Sequence, residues 1–553
     1  MKKKFSFLLV LLLALSTFLA ACGGGDSAGG DEGKSGDNGG DKPAEGKEQV
    51  LNLIEGSEIP SMDSTLATDS VSFNVMNNVF EGLYRLGEND EAVLGMAAEE
   101  PQVSEDGLTY TFKLRDAKWS NGDPVTANDF VYAWQKALNP DTGAEYAYIM
   151  YDIKNAAKVN AGEVPVEELG VKAVDDKTLE VNLEGQVPYF NALLSFATFY
   201  PQNQKFVEEQ GEQYGLEADK ALYNGPFTLS EWKHEQSFKL TKNDGYWDAE
   251  TVKLKEVNFN IVKDTATAVN LYETEKADVT GLSAEFVDKY KDDPNFKTLA
   301  DTAVYFLRLN QKNELMANVH ARKAIDAAYD KKGMVEVLMN NGSMPAYYLV
   351  PKDFVSGPDG AEYRETVGDF GSYDTEKAKE HWAKAKEELG KDTFEIELLN
   401  YDSESSGKVG EFIKEQLETN LEGLTVSIKA QPFKQKLELE SKGDYDFAFA
   451  GWGPDYPDPM TFIDMFVTDG AHNQMAYSNP EYDKLVEQAK GELADDLEAR
   501  WQAMIDAEKI LFEDQAISPM YQRGSSYLER PYVKGILRHS FGADNSYKWA
   551  SVE

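Results

Sequence analysis

FEIELLNYDSESSGKVGEFIKEQLETNLEGLTVSIKAQPFKQKLELESKGDYDFAFA, residues 394–450, decides the fold class. FEIELLN, LTVSIKA and YDFAFA are short apolar runs of strand length, and a helix through EFIKEQLETN (411–420) and another through FKQKLELESK (433–442) separate them. Strand and helix in alternation are the order of a parallel sheet flanked by helices, so the expected class is α/β. In open sheets of this kind ligands bind outside the carboxyl ends of the strands. At the end of YDFAFA stands GWGPDYPDPMTFID, residues 451–464, which sets three acids among glycines, prolines and aromatics. A solvated loop has no need of Trp452, Tyr456 and Phe462, and a buried one has no use for Asp455 unless a cation meets it. The loop is therefore a candidate ligand wall.

Working outward, LTYTFKLRDAKW (108–119) alternates Leu108, Tyr110, Phe112 and Leu114 with polar residues, a half-buried strand. NGDP supplies a turn, and Thr126-Ala127-Asn128-Asp129 reads as a capping box opening a helix whose Phe130, Trp134 and Leu138 share a face. Further strand signals are VDDKTLEVNL (174–183), SFKLTKN (237–243) and VNFNIV (257–262). A length of 553 residues predicts two or three folded units, and 42% hydrophobic content fits a globular body. A formal charge of −42 argues against a nucleic-acid partner, which needs clustered Lys and Arg.

The first 21 residues read as a secretory signal: Lys2 to Lys4, the apolar run Phe5 to Leu19, then Ala20 and Ala21. Cys22, at the exit LAAC, is the one cysteine of the chain, so no disulfide forms within it. Residues 22–47 are rich in Gly, Asp and Lys with almost nothing to bury, and predict a flexible tether. Gly25-Asp26-Ser27-Ala28-Gly29 fits a hydrolase nucleophile pattern and Gly33-Lys34-Ser35 ends like a phosphate-binding loop, but neither has the strand-to-helix context its chemistry needs. The histidines, His234, His320, His381, His472 and His539, are scattered and give no metal motif. Carboxylate pairs such as Asp455 with Asp458 are expected by chance in so acidic a chain. Neither an enzyme, a metal nor a cofactor is expected.

AKWSNGDPVTANDFVYAW (117–134), FEGL (80–83), YNGPF (223–227), LTKNDGYW (240–247) and the GW-x-x-DY loop occur in order. Together they resemble the large extracytoplasmic solute-binding proteins of peptide ABC importers, the oligopeptide-binding type, and the resemblance runs from about residue 50 to the end. It implies a two-lobed, periplasmic-binding-protein-like α/β fold of the large type, with three subdomains that close like a trap. Residues 48–80, 223–308 and 522–553 would form a discontinuous first lobe, 81–222 a subdomain packed on it, and 309–521 the second lobe. YNGPF, with Gly225 and Pro226, would suit a crossover between lobes. LAAC resembles a bacterial lipoprotein signal, implying a lipidated Cys22 and a monomer anchored on the outer face of a cell membrane, as in a Gram-positive bacterium.

The implied activity is capture of oligopeptides for a membrane permease driven by cytoplasmic ATPases. Carried over by position, Asp455 would pair with the peptide's α-amine, Gly451, Trp452 and Gly453 would lie along its backbone, and Thr68, Asp69 and Ser70 would form the opposing segment. Tyr146 and Phe433 would line pockets. Some relatives hold the peptide's carboxylate with basic residues; here Phe449 and Ser405 stand at two such places and Lys312 is the retained cation, so a fixed peptide length is not expected. Two alternatives stay open: a peptide pheromone receptor, and the same fold binding a nickel complex, sugar or opine. Asp455 also has a plain structural reading, as an acid at the start of a helix through MTFID.

Overall fold

The computed structural model describes residues 47–553. The signal segment, Cys22 and the tether up to residue 46 lie outside the described residues.

The three strands of the opening segment pair as their spacing requires. Phe394–Tyr401 runs parallel to Leu424–Gln431 throughout, and parallel to Phe447–Trp452 at Leu398 and Leu399. The crossovers are the helices Glu404–Asn420 and Phe433–Lys442. The Ser403 side chain accepts from Ser406 N at the first helix's start, and Gly443, with φ of +65°, ends the second. Covered on both faces, this part of the sheet buries Leu398, Leu399 and Phe447 completely. The sheet then turns antiparallel, because Phe447–Trp452 also pairs with Phe296–Leu309, which pairs with Ile517–Glu529. The parallel expectation thus holds for three strands of a mixed sheet.

Two further four-stranded sheets lie apart from it. Val50–Glu55, Glu256–Ile261, Ser237–Lys242 and Phe227–Lys233 form one, with the first pair parallel. Gln102–Val103, Thr109–Lys113, Thr178–Asn182 and Val171–Asp175 form an antiparallel sheet. Here VDDKTLEVNL is a hairpin, split where Lys177 N donates to Asp175 Oδ1 at 2.8 Å.

The long strands Phe296–Leu309 and Ile517–Glu529 join the two halves of the molecule. Their pairing breaks between Ala300 and Val304. On one side Ile517–Glu529 also pairs with Val279–Gly281; on the other Phe296–Leu309 pairs with Phe447–Trp452. The expected lobe boundaries at 308/309 and 521/522 fall inside these strands. YNGPF lies elsewhere: a Cβ at Gly225 would come within 2.6 Å of the Val79 carbonyl carbon, so this segment is clamped against the end of the helix Ser70–Val79 and does not make the passage between the strand groups.

Four of the five motifs behind the resemblance are linked by hydrogen bonds; the GW-x-x-DY loop is not among them. Asn224, from YNGPF, holds the backbone of Glu81, from FEGL, at both N and O at 2.9 Å. Tyr246, from LTKNDGYW, donates to Glu81 Oε2 at 3.0 Å, and Arg85 pairs with the same oxygen at 2.5 Å. Ser120 N, from the 117–134 stretch, donates to Tyr223 O at 2.8 Å. Thr126 N donates to Asp129 Oδ2 at 2.8 Å at the head of the helix Ala127–Leu138, and Trp134 Nε1 reaches Phe199 O at 3.0 Å. Most of the motifs are scaffold.

Candidate ligand-binding cavity

A cavity of about 1680 Å³ lies where the carboxyl end of Phe447–Trp452 faces the helix Ser70–Val79. Drug-sized ligands occupy pockets of about 300–1,000 Å³, so this one has room for an extended chain of several residues. All nine ligand-contact residues expected from sequence line it: Thr68, Asp69 and Ser70 on one wall, Gly451, Trp452, Gly453 and Asp455 on another, with Tyr146 and Phe433 between. Phe449 and Ser405 line it too. Lys312 does not; its Nζ lies over Gly443, 3.3 Å from where a Cβ would stand.

The three acids of GWGPDYPDPMTFID separate by partner. Asp458 takes Arg500 through both oxygens at 2.7 and 2.8 Å, and its Oδ1 also accepts from Met460 N at the start of the short helix Met460–Ile463. Asp464 takes Lys490 at 3.1 Å. The helix-start role therefore falls to Asp458, and with Arg500 on Asp458 no acid–base pair forms with Asp455. Asp455 is 5% exposed; Tyr146 Oη donates to its Oδ1 at 3.3 Å, and its Oδ2 has no partner. Burial, with Asp464 adding to it, pushes its carboxyl well above the usual carboxylate range. A buried carboxylate oxygen without a partner, on a residue that lines a cavity, is what an ammonium group would satisfy.

Around it lies an aromatic wall. Trp452 stacks on Tyr146 with ring centres 6.1 Å apart and 7° between planes, and the His472 ring abuts both at 4.7 and 4.9 Å. Gly451 is glycine because of packing: a Cβ there would meet the Tyr305 ring at 2.6 Å. At Gly453 the nearest atom to a Cβ is Ala303 Cβ at 3.8 Å, so that backbone is open toward the cavity. Asp69 caps the helix Ser70–Val79 through Ser72 N at 2.8 Å, and burial pushes its carboxyl up to about 6. That bond fixes the start of the helix.

His472 was not singled out by its sequence context, nor was Arg308. The latter carries a visible signal, a cation inside the apolar strand run YFLRLN. Burial and the neighbouring Arg308 charge lower the His472 imidazole from 6.5 to about 3. A depressed value means stability that is present above about pH 6.5 and lost as pH falls toward 3, at about 1.4 kcal/mol per pH unit within that window. Unfolding measured against pH should therefore show a steeper acid loss for wild type than for His472→Gln. Parallel profiles would mean that His472 titrates normally.

The two sides of the cavity touch at its rim. Lys263 Nζ meets Asp402 at 2.9 Å, Thr265 N donates to Glu404 Oε2 at 3.2 Å, and Ser441 Oγ donates to Glu145 Oε1 at 2.6 Å.

Comparison with known proteins agrees with this architecture. The family model for bacterial extracellular solute-binding proteins, family 5, middle region, matches residues 91–474. The dipeptide-binding protein DppE of Bacillus subtilis is 35% identical over 542 residues, 98% of this chain and 97% of its own. Among solved structures, the substrate-binding domain of an oligopeptide ABC transporter from Bacillus anthracis is 50% identical, with a TM-score of 0.90 over 92% of this chain and 99% of that one. Listeria monocytogenes OppA bound to peptide is 45% identical, with a TM-score of 0.89 over 92% and 99%. The murein tripeptide binding protein MppA of Escherichia coli matches at 27% identity with a TM-score of 0.82, and its unliganded open form matches with a TM-score of 0.59. This chain belongs to the bacterial extracellular solute-binding proteins, family 5.

Proposed function

We propose that this protein captures oligopeptides outside the cytoplasm and hands them to an ABC-type import permease. The observation that carries this is the unpartnered Asp455 Oδ2 in a cavity large enough for a peptide. Relatives named for dipeptide and oligopeptide binding support it. Asp455 holds the peptide's α-amine, Trp452 and Tyr146 cover the first residue, and the open backbone at Gly453 admits the chain as an added strand would be. The first lobe comprises 48–80, 223–308 and 522–553, with 81–222 packed on it, and 309–521 forms the second. The passage between the lobes runs through the paired strands Phe296–Leu309 and Ile517–Glu529, which carry the hinge, and closure follows ligand entry. The protein binds and releases its ligand unchanged. Peptides eluted from protein purified out of its native host, identified by mass spectrometry, test this reading. A broad set with free amines supports nutrient capture, a single sequence supports a pheromone receptor, and an absence of peptides contradicts both.

Anchoring is through a lipidated Cys22, and stable attachment takes at least two acyl chains. Among the described residues no helix is long and apolar enough to cross a membrane. Cys22→Ala should appear in the medium or remain unprocessed. Retention of correctly cleaved variant in the membrane fraction would contradict the anchor.

A further inference from the structure

The chain has five histidines, and two of them that stand 61 positions apart meet. His320 belongs to the helix Val319–Ala327 and His381 to the helix Thr375–Leu389, and their Nδ1 atoms lie 2.9 Å apart. The first helix buries Ala321, Ala324 and Ile325 and the second Ala378, Trp382 and Ala385, whereas both imidazoles are only half-buried and within reach of solvent. Neither lines the peptide cavity. The far nitrogen of His320, Nε2, faces Glu388 Oε1 at 3.8 Å, and Asn318 Nδ2 holds that carboxylate by donating to its Oε2 at 2.8 Å. An acid on that side favours the proton on Nε2 and leaves Nδ1 with its lone pair. Burial and the neighbouring His320 lower the His381 imidazole, so it is uncharged at neutral pH. Two lysines and two acids bear on the pair: Lys384 is tied to Glu380 at 2.8 Å, and Lys323 is matched in number by Glu388.

We propose that His320 and His381 form a two-imidazole binding site for a divalent transition metal ion, copper(II) above all, outside the peptide cavity. Left to themselves the two rings share one proton between two bases. A metal ion takes that place, and the proton leaves to solvent. Metal–nitrogen bonds are about 2.0–2.1 Å long, so nitrogens 2.9 Å apart subtend about 90° at the ion. That is the angle between neighbouring positions of a square-planar or tetragonal centre, the geometry of copper(II) and nickel(II), whereas tetrahedral zinc would need the nitrogens about 3.3 Å apart. Of these ions copper(II) binds nitrogen ligands most tightly. Among the described residues no three His, Cys, Asp or Glu side chains are gathered for a metal, so water completes the coordination. The bound ion clamps two helices together and stabilises the fold without touching the peptide.

The test is calorimetry of wild type, His320→Gln and His381→Gln with copper(II) chloride alone at neutral pH. Wild type should bind one ion at least about tenfold more tightly than either variant, since removing even an outer partner costs a metal site about 10- to 100-fold. Electron paramagnetic resonance of the wild-type complex should show two imidazole nitrogens on the ion, and each variant fewer. Copper should also raise the thermal midpoint of wild type more than that of either variant. Unfolding without copper shows whether the variants fold; if one does not, the nitrogen count on wild type still decides. Equal copper affinity in wild type and both variants overturns the proposal, and so does a wild-type spectrum without two imidazole nitrogens. Either result leaves the pair as a plain hydrogen bond between two helices.

Discussion

Asp455→Asn should lower the affinity for a peptide with a free α-amine by roughly 30-fold to several thousandfold, because the proposed contact is a buried charge pair and truncating one member of such a pair costs about 2–5 kcal/mol. The substitution keeps size and shape, Tyr146 can still donate to the retained oxygen, and the backbone of residue 455 stays tied to Thr461 Oγ1 at 2.9 Å, so the fold should be unchanged. The acid also sets a pH dependence. Burial raises its carboxyl in the closed cavity, so below that raised value binding of an ammonium must expel a proton. Wild-type affinity should fall as pH is lowered through this range, and that of Asp455→Asn should not. Titration calorimetry in buffers of different ionisation enthalpy reads both effects. A loss below about threefold would remove the charge pair from the account.

The second large effect concerns stability and leaves binding alone. Glu81→Ala strands the buried Arg85 guanidinium and takes the acceptor from Tyr246, at an expected cost of about 3–5 kcal/mol. Glu81 does not line the cavity, so affinity for peptide at temperatures where the variant is folded should match wild type. Urea unfolding gives the first quantity and calorimetry the second. Loss of binding without loss of stability would assign Glu81 to the ligand and not to the scaffold.

Those two residues show what was legible in the sequence. The alternation of FEIELLN, LTVSIKA and YDFAFA with helical segments located the sheet, and the rule for strand ends located the loop that carries Asp455. Local pattern sufficed because the strands and helices are neighbours in the chain. It could not show that Phe447–Trp452 is flanked on its other side by Phe296–Leu309, since that pairing joins distant segments. For this reason Gly451 reads as a ligand-facing glycine until the Tyr305 ring is seen beside it. The same pairing carries Arg308 into the cavity wall, whereas Lys312, a few residues on, does not line it. The three acids of the opening loop look equivalent in sequence; only their partners Arg500 and Lys490, supplied by later helices, leave Asp455 as the free one. Motif strength and function also diverge, because the stretch 117–134 builds a scaffold and lines no part of the cavity.

Whether Asp455 holds a peptide's α-amine inside the cavity is read directly from one thermodynamic cycle. Calorimetry is run on wild type and Asp455→Asn with one peptide in its free and its N-acetylated form. Acetylation and the substitution remove the same interaction, so each alone should weaken binding strongly and the two together little more than either. Additive losses, or equal affinity of wild type for the free and acetylated peptides, would contradict the claim.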